Sequence, residues 1–226
     1  MSAVAIFVKT PGQSAIKTRL ATTIGASLAE QWHQRAAHAV AEVALQANVG
    51  PVYWAVAEAT GEGHPLWADL PQLIQCAGGL GARMADIHNH LIDRHGQAIL
   101  LGADTPQIES QDLRQAHHWI NSAQPRQVLG PASDGGFWLY GSNQATERDR
   151  WEWVSYSQTT TRRTFEEAFD EVGSWLTLAT HTDVDEHTDL AHAYRALLAL
   201  ANPSAKQRAL CHWLGTNAKA LGGIGT

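Results

Sequence analysis

Five segments of the chain hold residue types that could do chemistry. The first, Lys9-Thr-Pro-Gly-Gln-Ser-Ala-Ile-Lys17-Thr-Arg19, sets three cations among small and turn-forming residues. Such a loop can wrap a phosphate, with backbone N–H groups and Lys or Arg heads neutralising the anion, or it can be a solvated basic turn. In Leu100-Leu-Gly102-Ala-Asp104-Thr-Pro106 an apolar run ends in one carboxylate and a proline. A carboxylate so placed suits Mg²⁺, which takes one or two protein carboxylates and draws its other ligands from phosphates and water. The plainer alternative is an Asp capping the next turn. In His181-Thr-Asp183-Val-Asp185-Glu-His187-Thr-Asp189, an extended backbone would put residues 181, 183, 185 and 187 on one face, as mixed His and carboxylate ligands. The same acids fit a helix N-terminus equally well, where Asp185, Glu186 and Asp189 complement the dipole and cap N–H groups.

The remaining two segments are turns rich in glycine. Gln75-Cys-Ala-Gly78-Gly79-Leu-Gly81-Ala-Arg83-Met84 reads as a strand end, a turn that lets backbone approach a ligand, and a helix opening. Its spacing and mid-chain position differ from the dinucleotide fingerprint, and on its own it is a plain strand-to-helix turn. In Gly130-Pro-Ala-Ser-Asp134-Gly135-Gly136 a carboxylate rides on a turn, and Asp-Gly is also common hairpin chemistry. His88-Asn89-His90 is not a ligand pair, because helical positions two apart point about 200° apart. His117, His118 and the nine tryptophans read as surface and core residues.

These segments need elements to position them. Short apolar runs at Ala3–Val8, Val52–Ala57, Gln72–Cys76, Ala98–Gly102, Gln127–Leu129, Phe137–Tyr140 and Trp175–Ala179 are compatible with buried strands. Leu28–Ala47 places Leu28, Trp32, Ala36, Ala39, Val43 and Ala47 on one helical face, and Met84–His95, Ser110–Ser122, Thr161–Val172 and His187–Ala201 behave similarly. Alternating strand and helix predicts a mostly parallel sheet with helices on both faces, whose ligand edge lies outside the strands' carboxyl ends. Pro131–Ser142, with its Gly-Gly turn, breaks the alternation and predicts an antiparallel insertion, hence a mixed sheet. The expected organisation is one α/β domain over residues 1–226, with a frayed Gly222–Thr226 tail.

Composition narrows the function classes. Sixteen Lys and Arg against 22 Asp and Glu give a net charge of −6, and 44% of residues are hydrophobic. That argues against a nucleic-acid footprint and against disorder. Cys76 and Cys211 form no CxxC pair, so neither a disulfide framework nor a thiolate zinc site is indicated. The longest apolar runs, Ala3–Val8 and Ala196–Ala201, fall far short of the ~18 to 20 residues of a membrane span. With no signal-peptide pattern at the N-terminus, a cytoplasmic protein is expected. No Gly-x-Ser-x-Gly elbow or P-loop occurs, which argues against a serine hydrolase or a P-loop kinase.

Taken in order, the segments resemble a known family. Lys9, Pro11, Lys17, Thr18, Arg19 and Leu20 match an opening Lys-x-Pro-x-x-Gly-x-x-Lys-Thr-Arg-Leu, except that Ser14 stands where that pattern has Gly. Gly79-Leu80-Gly81-Ala82-Arg83-Met84, Gly102-Ala-Asp104-Thr-Pro106, Gly130-Pro131-Ala132 with Asp134-Gly135-Gly136, and Asp183-Val184-Asp185 with Asp189-Leu190 complete the set, while a usual Trp-Ser pair appears as Tyr156-Ser157. From residue 4 to about 200 the chain resembles the glycosyltransferase-A-like radical-SAM/selenodomain-associated transferases, within the nucleotide-diphospho-sugar transferase superfamily. The resemblance implies a Rossmann-like glycosyltransferase-A fold and a metal-dependent transferase using a nucleotide-activated sugar and a small-molecule acceptor. It implies Mg²⁺ or Mn²⁺ on Asp104 and Asp185, and nucleotide contacts from Lys9, Lys17, Arg19, Gly79, Gly81 and Arg83. Asp134 is the candidate general base. The first and third motifs are also similar to those of guanylyltransferases, so nucleotidyl transfer with pyrophosphate release is the alternative; a non-catalytic nucleotide-binding protein is the third reading.

Overall fold

The computed structural model describes residues 1–224. Period-2 alternation in the first strand, β1 (Ala3–Val8), sets the layers. Val4, Ile6 and Val8 turn to one face and pack on α2 (Ala26–Ala47) and α4 (Ser110–Ile120). Ala3 and Ala5 turn to the other, where small side chains let α3 (Leu80–His95) come close and where α5 (Arg148–Trp153) and α6 (Thr161–Phe169) complete the second cluster. The strands β2 (Val52–Val56) and β4 (Ala98–Gly102) flank β1 in parallel and share this division, with Trp54 and Leu101 on the first face and Ala55 and Leu100 on the second. A third cluster lies outside α2, where α1 (Thr18–Ile24), α7 (His187–Ala199) and α8 (Ala205–Thr216) gather around Trp32 and Leu214.

The complete sheet is a mixed, mostly parallel one of seven strands, ordered β3-β2-β1-β4-β6-β5-β7, with β3 at Gln72–Ile74, β5 at Arg126–Pro131, β6 at Phe137–Ser142 and β7 at Ser174–Thr177. Only β6 runs against its neighbours β4 and β5. Its first residue therefore sits at the carboxyl ends of the parallel strands, and the 132–136 turn that feeds it hangs over that edge. No helix is long and apolar enough to cross a membrane among the described residues.

The seven expected strands all form, within two residues at either end. Three helices lie where no helical periodicity was read: α1 and α5 are too short to show a face, and α8 is only weakly amphipathic. The expected fraying of the tail is not seen through Ile224, which is buried in the third cluster with Leu221. Residues 225 and 226 lie outside the described residues.

Candidate active site at the carboxyl edge of the sheet

After β7 the chain does not turn into a helix at once but continues as an extended arm across the strand ends. Leu178 N–H donates to the Leu129 carbonyl (2.9 Å), His181 N–H to the Pro131 carbonyl (3.0 Å) and Val184 N–H to the Asp104 carbonyl (3.2 Å). Alternation along this arm buries Val184 completely in the third cluster, which leaves Asp183 and Asp185 on the opposite side. There they meet Asp104, delivered by the turn that ends β4. One carboxylate oxygen from each of Asp104, Asp183 and Asp185 lies within 4.8 Å of the other two.

A cation is already present among them. Lys17, the residue before α1, reaches in so that its Nζ donates to Asp104 Oδ2 at 2.5 Å and Asp185 Oδ1 at 2.6 Å. Its side chain is 10% exposed, against 29% for Asp104 and 45% for Asp185, so the ammonium is the buried member and the carboxylates open outward. Burial disfavours its charge, but Asp104 and Asp185 outweigh this and raise its pKa. Burial likewise opposes ionisation of Asp104, and Lys17 overcomes it, holding Asp104 below the usual carboxylate range. Among the described residues Asp183 has no ion-pair partner of its own. Burial, then the charges of Asp104, Asp134 and Asp185, push it up to about 7. Three carboxylates against one ammonium leave an excess of negative charge on hard oxygen donors.

Asp134 belongs to the same electrostatic neighbourhood, since its charge acts on Asp183. It is exposed on a tight turn closed by Ala132 N–H to the Gly136 carbonyl (3.0 Å), and its Oδ1 accepts from Gly136 N–H at 2.8 Å. Gly135 supplies the φ of +93° that the turn needs. The turn is pinned to the arm by Ser133 N–H donating to the His181 carbonyl at 2.9 Å.

The first loop follows β1 directly. Lys9 is exposed at its start and Arg19 just past its end, in the first turn of α1, Lys9 Nζ donating weakly to the Ala15 carbonyl (3.4 Å) and Arg19 standing 3.9 Å from Glu186. Beneath Lys9, buried His33 lies with Nε2 3.1 Å from the Lys9 carbonyl; burial pulls its pKa down to about 4, so it is neutral. Nothing in the sequence had marked His33, which sits among apolar positions of α2. The glycine turn follows β3, two strands from β1 on the same edge. Gly79 is exposed at the start of α3, and Arg83 is tied back to that turn by Nε to the Gly78 carbonyl (3.0 Å) and a long contact to Gln75 Oε1 (3.5 Å). Gly81 does not open on the turn: it is buried, and a Cβ there would strike Trp151 and Tyr156, so close helix packing accounts for it.

Two further residues weighed as ligands lie elsewhere. His181 Nε2 turns to Asp112 (3.7 Å) and its ring packs edge-on to Trp138, while His187 Nε2 lies 2.8 Å from the Leu221 carbonyl. The helix-terminus reading of the 181–189 segment holds for Glu186 and Asp189, which form a capping box: Asp189 Oδ2 accepts from Glu186 N–H at 2.8 Å. Asp183 and Asp185 face the cleft instead.

Known structures share this architecture. A protein from Desulfovibrio desulfuricans G20 assigned as a nucleotide-diphospho-sugar transferase superposes with a TM-score of 0.84 at 21% identity, over 97% of this chain and 96% of that one. CMP:2-keto-3-deoxy-manno-octonic acid synthetase complexed with CTP matches with a TM-score of 0.54 at 14% identity, over 88% of this chain and 99% of that one. A nucleotidyl transferase from Methanothermobacter thermautotrophicus gives 0.54 at 12% identity, over the same shares of 88% and 99%. At these identities the likeness is one of fold: the mixed, Rossmann-like sheet of nucleotidyl and sugar transferases. No curated protein matches in sequence. A family profile does, over residues 31–158, more than half of the chain, and the protein belongs to that family, described as uncharacterized protein conserved in bacteria (DUF2064).

Proposed function

We propose that the protein is a divalent-cation-dependent transferase that takes a nucleotide-activated sugar as donor and a small hydroxyl-bearing molecule as acceptor. The observation that carries this reading is the convergence of Asp104, Asp183 and Asp185 with excess negative charge on the sheet edge beside the Lys9–Arg19 loop. The donor set fits Mg²⁺ or Mn²⁺: carboxylate oxygens only, close enough together to share one ion and incompletely neutralised by Lys17. The chemistry such an ion supplies when bound is neutralisation of the charge that grows on the departing nucleoside diphosphate.

The chain's own residues supply the rest. Lys9 and Arg19, exposed at the two ends of the first loop, neutralise the phosphates, and Gly79 with Arg83 borders the nucleotide from the second turn. Asp134, exposed and held upright by its own turn, accepts the acceptor's hydroxyl proton. The motif set supports placing the chain among the radical-SAM/selenodomain-associated transferases.

The test is product analysis with Mg²⁺ or Mn²⁺ across sugar nucleotides and nucleoside triphosphates. Release of nucleoside diphosphate with sugar transfer is expected, and Asp104→Asn and Asp185→Asn should each lower turnover by ~10²-fold or more. Pyrophosphate released from a triphosphate instead would establish nucleotidyl transfer at the same residues. Turnover within twofold of wild type in Asp104→Asn would remove the site.

A further inference from the structure

We infer that Lys17 occupies the cation position of the carboxylate cluster in the nucleotide-free protein, so that a divalent cation and the Lys17 ammonium compete for Asp104 and Asp185. The inference rests on the reading of the cluster as a cation site and adds how that site is gated. Lys17 Nζ stands 2.5 Å from one oxygen of Asp104 and 2.6 Å from one of Asp185. Mg²⁺ or Ca²⁺ binds oxygen at ~2.0 to 2.6 Å, so an ion taking those two oxygens would fall where the ammonium is. Two cations cannot share that volume, and each blocks the other by occupancy as well as by charge.

The position of Lys17 in the chain suits a residue that leaves. Its side chain is a compact charge on a flexible four-carbon stem, unlike a guanidinium locked in a two-pronged pair. Its backbone is left-handed (φ 44°, ψ 51°), a conformation that non-glycine residues seldom keep without outside support. The double ion pair supplies that support. The preceding loop is mostly exposed from Gly12 to Ala15 and turns through Gly12 at φ +78°. Lys9 and Arg19 lie at its two ends, so a polyphosphate that binds between them offers Lys17 an anion in exchange for Asp104 and Asp185. Once Lys17 has moved to the phosphate, the carboxylates are open to the ion. Polyphosphate therefore favours cation binding without being required for it, and by linkage each raises the other's affinity.

Mn²⁺ alone is the probe, with free ion counted by electron paramagnetic resonance in nucleotide-free wild type, Lys17→Met and Lys17→Arg, each checked for melting in chelator. Lys17→Met should bind Mn²⁺ at least tenfold more tightly than wild type, and Lys17→Arg, which keeps a cation, should stay weak. Equal affinity in wild type and Lys17→Met overturns the competition while leaving the cation site standing. Absence of Mn²⁺ binding in all three overturns both. Wild type gives an independent reading should Lys17→Met fail to fold. The chain has four lysines, so ¹³Cε-labelled lysine gives four side-chain signals, of which Lys17→Met identifies one by its loss. The Lys17 signal should move toward that of solvated lysine as Mg²⁺ is added, and a signal unmoved at saturating Mg²⁺ overturns the inference.

Discussion

Val184 decides what its neighbours can do. Buried between two carboxylates on an extended arm, it fixes the register that sends Asp183 and Asp185 together into the cleft; a slip of one residue would bury both acids. Asp134 is placed by different means, a five-residue turn whose closing bonds are mostly backbone. Asp134→Asn keeps an oxygen for Gly136 N–H and removes the proposed base, so turnover should fall by ~10² to 10⁴ with the melting temperature nearly unchanged. Unaltered turnover would leave the side chain to hairpin chemistry alone. The acids were legible as types and spacings, because Asp after an apolar run and Asp-x-Asp are local patterns. The destination of Lys17 was not: read as a phosphate ligand beside Arg19, it pairs instead with residues 87 and 168 positions away, a fact that no local pattern encodes. His181 and His187 shared the alternation of the acids, but the arm ends in a helix and a core that claim each ring separately.

At the scale of elements, buried strands announce themselves by apolar runs with sharp ends, and every one was readable. Short helices have no such signature, although α8 carried one that periodicity misses: Ser204 and Gln207 form a capping box, with Ser204 N–H donating to Gln207 Oε1 at 2.8 Å. Helix α3 shows how an element's packing sets a pH response. His88 on its buried face lies with Nε2 3.0 Å from Ser142 Oγ of β6, among Tyr140 and Trp151, and burial lowers its pKa to about 4. The unfolded chain takes up that proton near pH 6.5, the folded one only near 4, so the stability this ring permits at neutral pH is lost as pH falls through the window. At ~1.4 kcal/mol per unit the loss is about 2 to 4 kcal/mol, and His33 on α2 adds a similar one. Urea denaturation from pH 7 to 4 should show a shallower decline in His88→Gln than in wild type. Parallel curves would mean that His88 is protonated in the folded state.

Across the whole molecule, the cleft is assembled from distant thirds of the chain. The family profile spans residues 31–158 and so includes Asp104 and Asp134, whereas Lys17, Asp183 and Asp185 come from either side of it. The C-terminal helix takes part in holding them. Gln207 on α8 donates through Nε2 to the carbonyls of Pro106 (2.8 Å) and Ile108 (2.9 Å), just beyond Asp104. Gln107 on that loop in turn donates to the Thr182 carbonyl (2.6 Å) on the arm. Gln207→Leu, similar in volume but without the donors, should cost about 1 to 3 kcal/mol and weaken Mn²⁺ binding together with it. Lost stability with unchanged Mn²⁺ affinity would show that the clamp holds the helix and not the site. The ion pair from Lys17 to Asp185 closes a span of 168 residues, which also sets an order on the protein's birth. A ribosome delivers Lys17 and Asp104 well before Asp185, and the arm that completes the ammonium's pairing emerges only after both. Until then Lys17 and Asp104 wait beside an incomplete sheet edge, without the strand β7 that leads the arm into place. The nascent chain therefore completes its anionic cleft only when β7 docks and carries the arm into place, and stalled chains ending before residue 183 should fold their first strands yet retain no Mn²⁺.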